Sequence, residues 1–466
     1  MQENVVKISD ILNHRYDPYY YSTEFIELKK QLQKVYSVHI GSIIESWNRG
    51  DGPREGYYTE NKEMGVPFIR INNLSNHSVT MKDIKYINRE IHNTKLKRTQ
   101  ISPNDLIFAI SGTKDNLGTV SIVPDTIKEA NLNSALVKLN LSQDKVIPMY
   151  FCYLFDLNII RKQINYIGKG AAQNNLNNDE ISEIIIPLPS KEKQKYIIEV
   201  MNNANNIKYQ KLKGANELLA SIDEFVLDAL NIKLLPYSKE KIYITKMSNI
   251  LGSRFDSDYN QKCFSYIYNF LTKQHYDILK NLLIYYKKGT EVGTSQYTEQ
   301  GLPFIRVSDF NSYGLTYSDN TKFIPVDYFN ELKDFSPQIG DILFSKDGTI
   351  GNSLLIDKNI EGIISGGIIR LHPNKDKVNP QYLSAVLSLN IYKQFFDRNS
   401  IGAIIKHLNI EELLNLPIPL PDKKIQDEIA NYVSETIKTA KILKEEANRE
   451  LENAKQKVEK ILLLGE

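Results

Sequence analysis

The sequence predicts an α+β protein made of two tandem copies of one domain, each followed by a long helix. The two halves of the chain carry the same sequence motifs in the same order. Each half begins with short apolar runs separated by Gly, Pro, Asn and Asp, which are typical of strands and turns. Each half ends in a long proline-free segment whose apolar residues have helical spacing. The 466 residues also exceed the ~250–300 at which a single core stops growing.

The repeat is clearest in two motifs. Gly65–Ile71 recurs as Gly301–Val307, an offset of 236 (301 − 65). Ile186–Pro189 recurs as Ile418–Pro421, an offset of 232 (418 − 186). Solenoid repeats have periods of ~20–50 residues, so this period indicates the duplication of a whole domain. The predicted segments are a first domain at 1–189, a helical region at 190–235, a second domain at 236–421 and a helical region at 422–466.

Each helical region carries one narrow apolar stripe with steps of three or four residues. Such a stripe favours two helices packed against each other as an antiparallel coiled coil, with the two domains related by an approximate two-fold axis. A helix lying on its own domain is the alternative. At 1.5 Å per residue each region would span ~60 Å and act as a spacer. The stripe residues are Ala215, Leu219, Ile222, Val226 and Ala229 in the first region, and Thr436, Ala440, Leu443, Ala447, Leu451, Ala454, Val458 and Ile461 in the second.

Composition limits the function classes. Lys and Arg number 58 and Asp and Glu 56, a formal charge of +2, which excludes a surface that is basic throughout and binds nucleic acid indiscriminately. The two cysteines, Cys152 and Cys263, exclude a disulfide framework or a cysteine-based zinc ribbon. The sequence has no stretch that resembles a signal peptide or a membrane span, so we expect a cytoplasmic protein.

Catalytic motifs fail when they are compared across the repeat. Asn379–Tyr382 resembles the tetrapeptide with which amino-group DNA methyltransferases hold a flipped base, but its third residue differs. Its counterpart Ile147–Tyr150 lacks the asparagine, so the motif predicts a turn and a packing residue. Neither Gly50–Gly56 nor Gly112–Gly118 has the spacing of a nucleotide-binding loop, and the histidines lack metal-site spacing. The sequence therefore predicts a binding protein without a cofactor.

The ordered motifs also resemble a known family. Each half contains Gly-x-Pro-Phe-Ile-Arg, then Asp followed by two apolar residues and Phe, then Gly-Thr, Leu-Asn and Ile-Pro-Leu-Pro. A glutamine, Gln194 or Gln426, follows five residues after the last proline, and a long helix comes next. This set, found twice over essentially the whole chain, resembles the DNA-specificity subunits of Type I restriction-modification systems.

The resemblance implies an architecture and partners. Each domain would be a target-recognition domain that reads one half of a split sequence in double-stranded DNA, and the helices would form the coiled coil that sets the gap. Two methyltransferase (modification) subunits would dock on the helices, and restriction/translocase subunits would join the same assembly. The chain would have no catalysis of its own, and S-adenosylmethionine, ATP and Mg would be bound by the partner subunits.

Loop residues that differ between the two halves are the candidates for reading DNA, because Arg and Lys commonly pair with guanine and Asn and Gln with adenine. Different loops predict an asymmetric, bipartite target. Ordinary polar loop surface is the alternative for each, and for Arg70 and Arg306 an internal ion pair is equally expected. The candidates are Arg70, Asn72, Asn73, Ser111, Thr113, Lys114, Lys169, Gln173, Asn174 and Asn175 in the first half, and Arg306, Ser308, Asp309, Ser345, Lys346, Thr349, Lys406 and His407 in the second.

A scaffold that binds only proteins is the competing hypothesis, since two domains on a coiled-coil rod would suit it equally well. Salt-dependent binding of DNA would separate the two functions, because neutralising phosphates releases counterions.

Overall fold

A computed structural model describes residues 22–52, 54, 56–167, 174–232, 242, 244, 246–247, 260–261, 267–269, 271–273, 275–318, 320–399 and 407–464. The chain divides into two compact units. The first unit comprises 1–211 and 445–466, and the second comprises 212–444. Each unit therefore contains one globular part together with a segment from each of two long helices.

The globular part of the first unit mixes short strands and helices, as the sequence predicts. Its helices are α1 (Thr23–Gln33), α2 (Arg89–Asn93), α3 (Pro148–Leu154), α4 (Asn158–Ile167) and α5 (Asn178–Ser182). Its strands are β1 (Ser37–His39), β2 (Ile44–Arg49), β3 (Tyr58–Thr59), β4 (Gly65–Ile69), β5 (Leu74–Ser75), β6 (Ser78–Val79), β7 (Lys85–Asn88), β8 (Gln100–Ile101), β9 (Leu106–Ala109), β10 (Ser111–Gly112), β11 (Val120–Ile122), β12 (Ala130–Leu132), β13 (Leu136–Leu141), β14 (Asn174–Asn175) and β15 (Ile185–Pro187).

Two sheets form the body of this unit. The larger has the strand order β2-β13-β9-β11-β6-β5, and the smaller has the order β3-β7-β4-β12-β8. The larger sheet packs its apolar side chains against α3 and α4, with Phe108, Phe151 and Phe155 at the centre of the contact. The motif Gly65–Ile71 supplies β4, a buried strand of the smaller sheet. Its apolar residues are repeated because the core requires them.

The second unit repeats this plan. Its strands are β16 (Tyr276–Ile278), β17 (Leu283–Lys288), β18 (Leu302–Ile305), β19 (Phe310–Asn311), β20 (Gly314–Leu315), β21 (Lys322–Ile324), β22 (Ile342–Ser345), β23 (Ser353–Leu355), β24 (Ile363–Ile364), β25 (Ile368–Pro373) and β26 (Pro417–Pro419). Its helices are α7 (Val326–Leu332), α8 (Pro380–Ser388), α9 (Asn390–Asn399) and α10 (Ile410–Leu414), while α6 (Lys191–Ala229) and α11 (Lys423–Leu464) are the long helices. The larger sheet has the order β17-β25-β22-β23 and the smaller has the order β21-β18-β24.

The long helices begin at Lys191 and Lys423, shortly after the repeated Ile-Pro-Leu-Pro motifs. In the first unit, Lys211 Nζ of α6 lies 2.7 Å from Glu446 of α11, and Lys457 lies over the ring of Tyr196. In the second unit, the rings of Phe225 and Tyr432 stack at 3.7 Å between centroids. Burial of the predicted stripe is confirmed: every stripe residue is buried or half-buried.

A repeated hydrogen-bond network explains two of the shared motifs. In the first unit, Gln194 accepts a bond from the Ile147 amide and donates to the carbonyl of Pro189. The buried Tyr150 hydroxyl donates to the Pro187 carbonyl at 2.8 Å. The glutamine therefore ties the start of α6 to the start of α3, which is why it recurs at a fixed distance from the Pro-rich motif.

The second unit contains the same network. Gln426 accepts from the Asn379 amide and donates to the carbonyl of Pro421, and the Tyr382 hydroxyl donates to Pro419 at 2.7 Å. Asn379 caps α8, because its side chain accepts bonds from the two backbone amides that follow Pro380. Asn379–Tyr382 therefore forms a turn at the start of α8 and supplies a buried packing residue, Tyr382, as the sequence predicts.

Backbone conformation explains a difference between the two halves. Asn104 has a φ of 70° and Gly340 a φ of 92°, and each precedes an aspartate at the start of a buried strand, β9 or β22. Glycine and asparagine are the residues that tolerate this left-handed conformation best. The turn is thus the same in both units although its residue differs.

Candidate nucleic-acid interface

A short turn follows the buried strand β4 in the first unit and holds three of the candidate residues. Asn73 is fully buried: its Oδ1 accepts from the Arg70 amide at 3.0 Å, and its Nδ2 donates to the Lys82 carbonyl at 2.8 Å. The Arg70 guanidinium donates to the Asp83 carbonyl at 2.8 Å. Asn72, between them, is exposed. The turn therefore presents Asn72, while Arg70 and Asn73 hold its shape.

In the second unit, an ion pair stabilises the equivalent turn, which follows β18. The Arg306 Nε lies 3.2 Å from Asp309 Oδ2, and its Nη2 lies 3.3 Å from Asp309 Oδ1. The Asp309 side chain is only 3% exposed. Of the two alternatives for Arg306, the structure therefore contains the internal ion pair, and for Arg70 it contains a bond to a backbone carbonyl. Ser308 is the exposed residue of this turn.

The loop after β9 in the first unit carries another group of candidates. The short strand β10 pairs with β14, placing Ser111 opposite Asn175. Thr113 and Lys114 follow on the surface, and both are exposed, as is Asn175. Arg161 of α4 holds this loop by donating to the carbonyls of Leu117 and Lys114 at 2.6 and 2.9 Å. Arg161 thus holds the backbone of this loop in place, while the side chains of Thr113 and Lys114 are exposed to solvent.

The corresponding loop of the second unit is differently charged. Lys346 is buried and its Nζ lies 2.6 Å from Asp347 Oδ2, while Oδ1 of the same carboxylate lies 2.8 Å from His407 Nδ1. Ser345 is buried, and its hydroxyl donates to the Thr349 carbonyl at 2.6 Å. Thr349 and His407 are exposed. Ser345 and Lys346 therefore support this loop from within.

Turn and loop meet in both units. A Cβ built on Gly112 would lie 3.3 Å from Cδ1 of Ile71, so the loop after β9 approaches the turn that presents Asn72. A Cβ on Gly367 would lie 3.0 Å from Val307 and 3.5 Å from Cβ of Asp347. In each unit, the fold brings together candidates that lie ~40 residues or more apart in sequence and come from separate connections, as recognition sites on rigid scaffolds commonly do.

Some candidates lie outside the described residues, namely Lys169, Gln173 and Lys406. Only the backbone of Asn174 is described, as part of β14.

Cys152 is buried, and burial raises the pKa of its thiol well above its ordinary value, which disfavours the reactive thiolate. Across the described ranges, no three His, Cys, Asp or Glu side chains are placed to hold a metal ion. None of the helices in the described part combines the length and apolar character needed to cross a bilayer.

Sequence reasoning did not select a cleft of about 330 Å³ on the first unit. Trp47 and Arg49 of β2 line one side of it, and Arg98 and Asn178 contribute from other connections. Ile110, Val137 and Leu176 form the apolar part of the lining, and Asn48 and Asn177 add two further amides. One sequence feature pointed to this cleft. The single tryptophan of the chain, Trp47, lies two residues before Arg49, and residues two apart on a strand lie on the same face.

Two similar α+β scaffolds that present different loops define this chain as a tandem two-domain recognition protein. The sequence profile described as Type I restriction modification DNA specificity domain matches it twice, at residues 32–219 and 277–453. These matches cover most of the chain, and the protein belongs to this family. The resemblance inferred from the repeated motifs is confirmed.

Similar proteins are described as specificity subunits of Type I restriction enzymes. The chain is 22% identical over 441 residues to the Type I restriction enzyme MjaVIII specificity subunit of Methanocaldococcus jannaschii, covering 92% of both proteins. It is 22% identical over 408 residues to the EcoBI specificity subunit of Escherichia coli, covering 86% of this chain and 79% of that protein.

Solved structures are similar at low identity. A chain from a study described as the structural basis underlying complex assembly and conformational transition of the type I R-M system is 16% identical, with a TM-score of 0.47, 92% of this chain covered and 97% of the other. The HsdS subunit from Thermoanaerobacter tengcongensis is 17% identical, with a TM-score of 0.35, 92% of this chain covered and 96% of the other.

Proposed function

We propose that this chain recognises an asymmetric, bipartite sequence in double-stranded DNA and directs partner subunits to it. Each unit reads one half-site through the turn after its buried strand and the loop that packs against that turn. In the first unit the exposed side chains are Asn72, Thr113, Lys114 and Asn175. In the second they are Ser308, Thr349 and His407. Amide, hydroxyl and cationic groups of this kind match base edges and phosphates.

One observation carries the proposal: the scaffold is repeated but its exposed loops are not. The exposed Asn72 of one turn is replaced by the exposed Ser308 in the other, and the exposed residues of the loop facing each turn change from Thr113, Lys114 and Asn175 to Thr349 and His407. Two identical readers would recognise a symmetric target. Two scaffolds with different donors and acceptors would recognise two different half-sites.

The long helices α6 and α11 set the distance between the half-sites as an antiparallel coiled coil, with the two domains related by pseudo-two-fold symmetry. Support comes from the burial of Ala215 and Val226 on one helix and Ala440 and Val458 on the other. Within the first unit, the partners of α6 on α11 have falling residue numbers as those on α6 rise, from Tyr196 with Lys457 to Lys211 with Glu446.

In this proposal, partner subunits carry out the catalytic steps. Two methyltransferase subunits dock on the helices and methylate a flipped adenine with S-adenosylmethionine, and restriction subunits that use ATP and Mg join them. This chain binds no cofactor and works in the cytoplasm. The descriptions of its relatives as specificity subunits of restriction enzymes support this division of labour.

Methylation mapping tests the proposal. Deleting the gene should abolish methylation at one bipartite motif. Replacing residues 1–189 with the same region of a relative should change one half of that motif and leave the other half unchanged. A change in both halves, or methylation that survives the deletion, would contradict the assignment of one half-site to each domain.

A further inference from the structure

The cleft on the first unit combines cationic, aromatic and apolar groups. Arg49 and Trp47 share one face of β2, and Arg98 reaches the same cleft from the short turn Lys97–Thr99. Arg49 Nε donates to the Ser134 carbonyl at 3.1 Å, which fixes the guanidinium while leaving its other N–H groups to a ligand. The Arg98 side chain is exposed and makes no hydrogen bond or ion pair to other described residues.

The lining of this cleft favours the binding of an anion. Its polar side chains are the two arginines and the amides of Asn48, Asn177 and Asn178, and none of these described lining residues is acidic. Arginine binds phosphate through a planar fork of N–H groups, so two arginines lining one cleft suit one phosphate group. The apolar patch formed by Ile110 and Leu176 beside Trp47 suits a group such as deoxyribose.

The repeat indicates that an arginine at the position of Arg98 is not required by the fold. The turn Lys333–Phe335 of the second unit corresponds to Lys97–Thr99, and it places Asp334 where the first unit has Arg98. Asp334 lies 3.4 Å from Lys287 Nζ, so a surface ion pair stands at this place. The same scaffold is therefore built with an acidic residue at the position where the first unit keeps an unpaired arginine.

We infer that this cleft binds one phosphate of the DNA backbone, with Arg49 and Arg98 as its two cationic groups and Trp47 against the adjacent deoxyribose. The inference rests on the proposed function and adds a contact to it. A phosphate contact positions the duplex without reading its sequence. It anchors the first unit on DNA beside the loops that read the bases, and the second unit lacks the equivalent pair of arginines.

The salt dependence of DNA binding tests the cleft in the full-length chain with its methyltransferase partner. One neutralised phosphate contributes about 0.9 to the magnitude of the slope of log affinity against log salt, so the double variant R49A/R98A should reduce that magnitude by about this amount, and R98A, which leaves Arg49 at the phosphate, should reduce it by less. R98K retains the charge and should retain the slope. K30A removes an equal charge from α1, which does not line the cleft, and should leave the slope at the wild-type value.

Several results would overturn the inference. A wild-type slope in R49A/R98A would show that the cleft meets no phosphate, and a loss twice as large would show that the arginines meet separate phosphates. If the wild-type complex binds DNA without salt dependence, the proposed function fails as well. Wild-type binding combined with an unchanged variant slope contradicts only the cleft.

The single tryptophan supplies a direct readout in the isolated full-length chain. Adding a duplex at low salt should change the fluorescence of Trp47, and R49A/R98A should abolish the change. Inorganic phosphate at the same ionic strength should give no saturable change. A saturable response to inorganic phosphate alone would assign the cleft to a free anion and overturn its assignment to DNA.

Discussion

At the scale of single residues, Arg70 and Arg306 occupy the same place in the repeat but have different partners. The Arg306 side chain contacts the buried carboxylate of Asp309 and donates to the Asn320 carbonyl, whereas the Arg70 side chain donates to the Asp83 carbonyl and only its backbone amide bonds to Asn73. A buried charge that loses its partner costs more than a buried amide that keeps its hydrogen bonds. The two arginines should therefore differ in their effect on stability.

We expect R306A to lower the free energy of unfolding by about 1–3 kcal/mol, because it leaves the Asp309 carboxylate buried with fewer partners. R70A is the matched control and should cost less, since Asn73 retains its bond to Lys82. Chemical denaturation of both variants measures the difference. Equal losses would mean that the ion pair adds nothing beyond the hydrogen bonds of the turn.

At the scale of elements, α6 of the second unit also supports the start of α9. The Asp223 carboxylate accepts a bond from the Asn390 amide, the first of α9, at 2.9 Å. Burial raises the pKa of Asp223 above its ordinary value of 3.8, and the bond to Asn390 and the charge of Lys393 oppose this only in part. The folded state thus binds a proton more tightly than the unfolded state, so this group favours folding at low pH and loses that contribution as pH rises through its folded pKa.

We expect D223N to remove this pH dependence, because an amide oxygen can accept the same bond without carrying a charge. Relative to wild type, D223N should gain stability as pH rises from below 3.8 to neutral. D223A is the control that also removes the acceptor, and it should lose about 1 kcal/mol, as for a lost helix cap. Thermal unfolding across this pH range tests both, and parallel curves for D223N and wild type would refute the assignment.

At the scale of the whole molecule, nearly balanced charge coexists with DNA recognition. A formal charge of +2 on 466 residues means that the cationic groups that meet phosphates must be local. We propose the exposed Lys114 and the cleft arginines as such local groups. Acidic residues elsewhere keep non-specific attraction small.

We expect the complex with its methyltransferase partner to bind its target in a strongly salt-dependent way. With six or more phosphate contacts, affinity should fall by about 10³-fold or more between ~50 and ~200 mM salt. A gel-shift or anisotropy titration at several salt concentrations measures this. Affinity that does not change with salt would favour the protein-binding scaffold instead.

The sequence by itself determined the duplication, the α+β class, the family and the buried stripe of the long helices. These follow from patterns that repeat along the chain, since apolar spacing and turn residues encode local structure. The sequence also predicted a turn and a packing residue at Asn379–Tyr382, whereas the role of Asn379 as a helix cap came from the structure.

Only the tertiary structure decided which candidates face outward. Asn72 and Asn73 are neighbours of one residue type, yet the first is exposed and the second is buried with every polar group bonded. The cleft could likewise not be located from the sequence, because Trp47, Arg98 and Asn178 come from separate elements of the fold. Burial and convergence depend on how distant segments pack, and no local pattern along the chain encodes that.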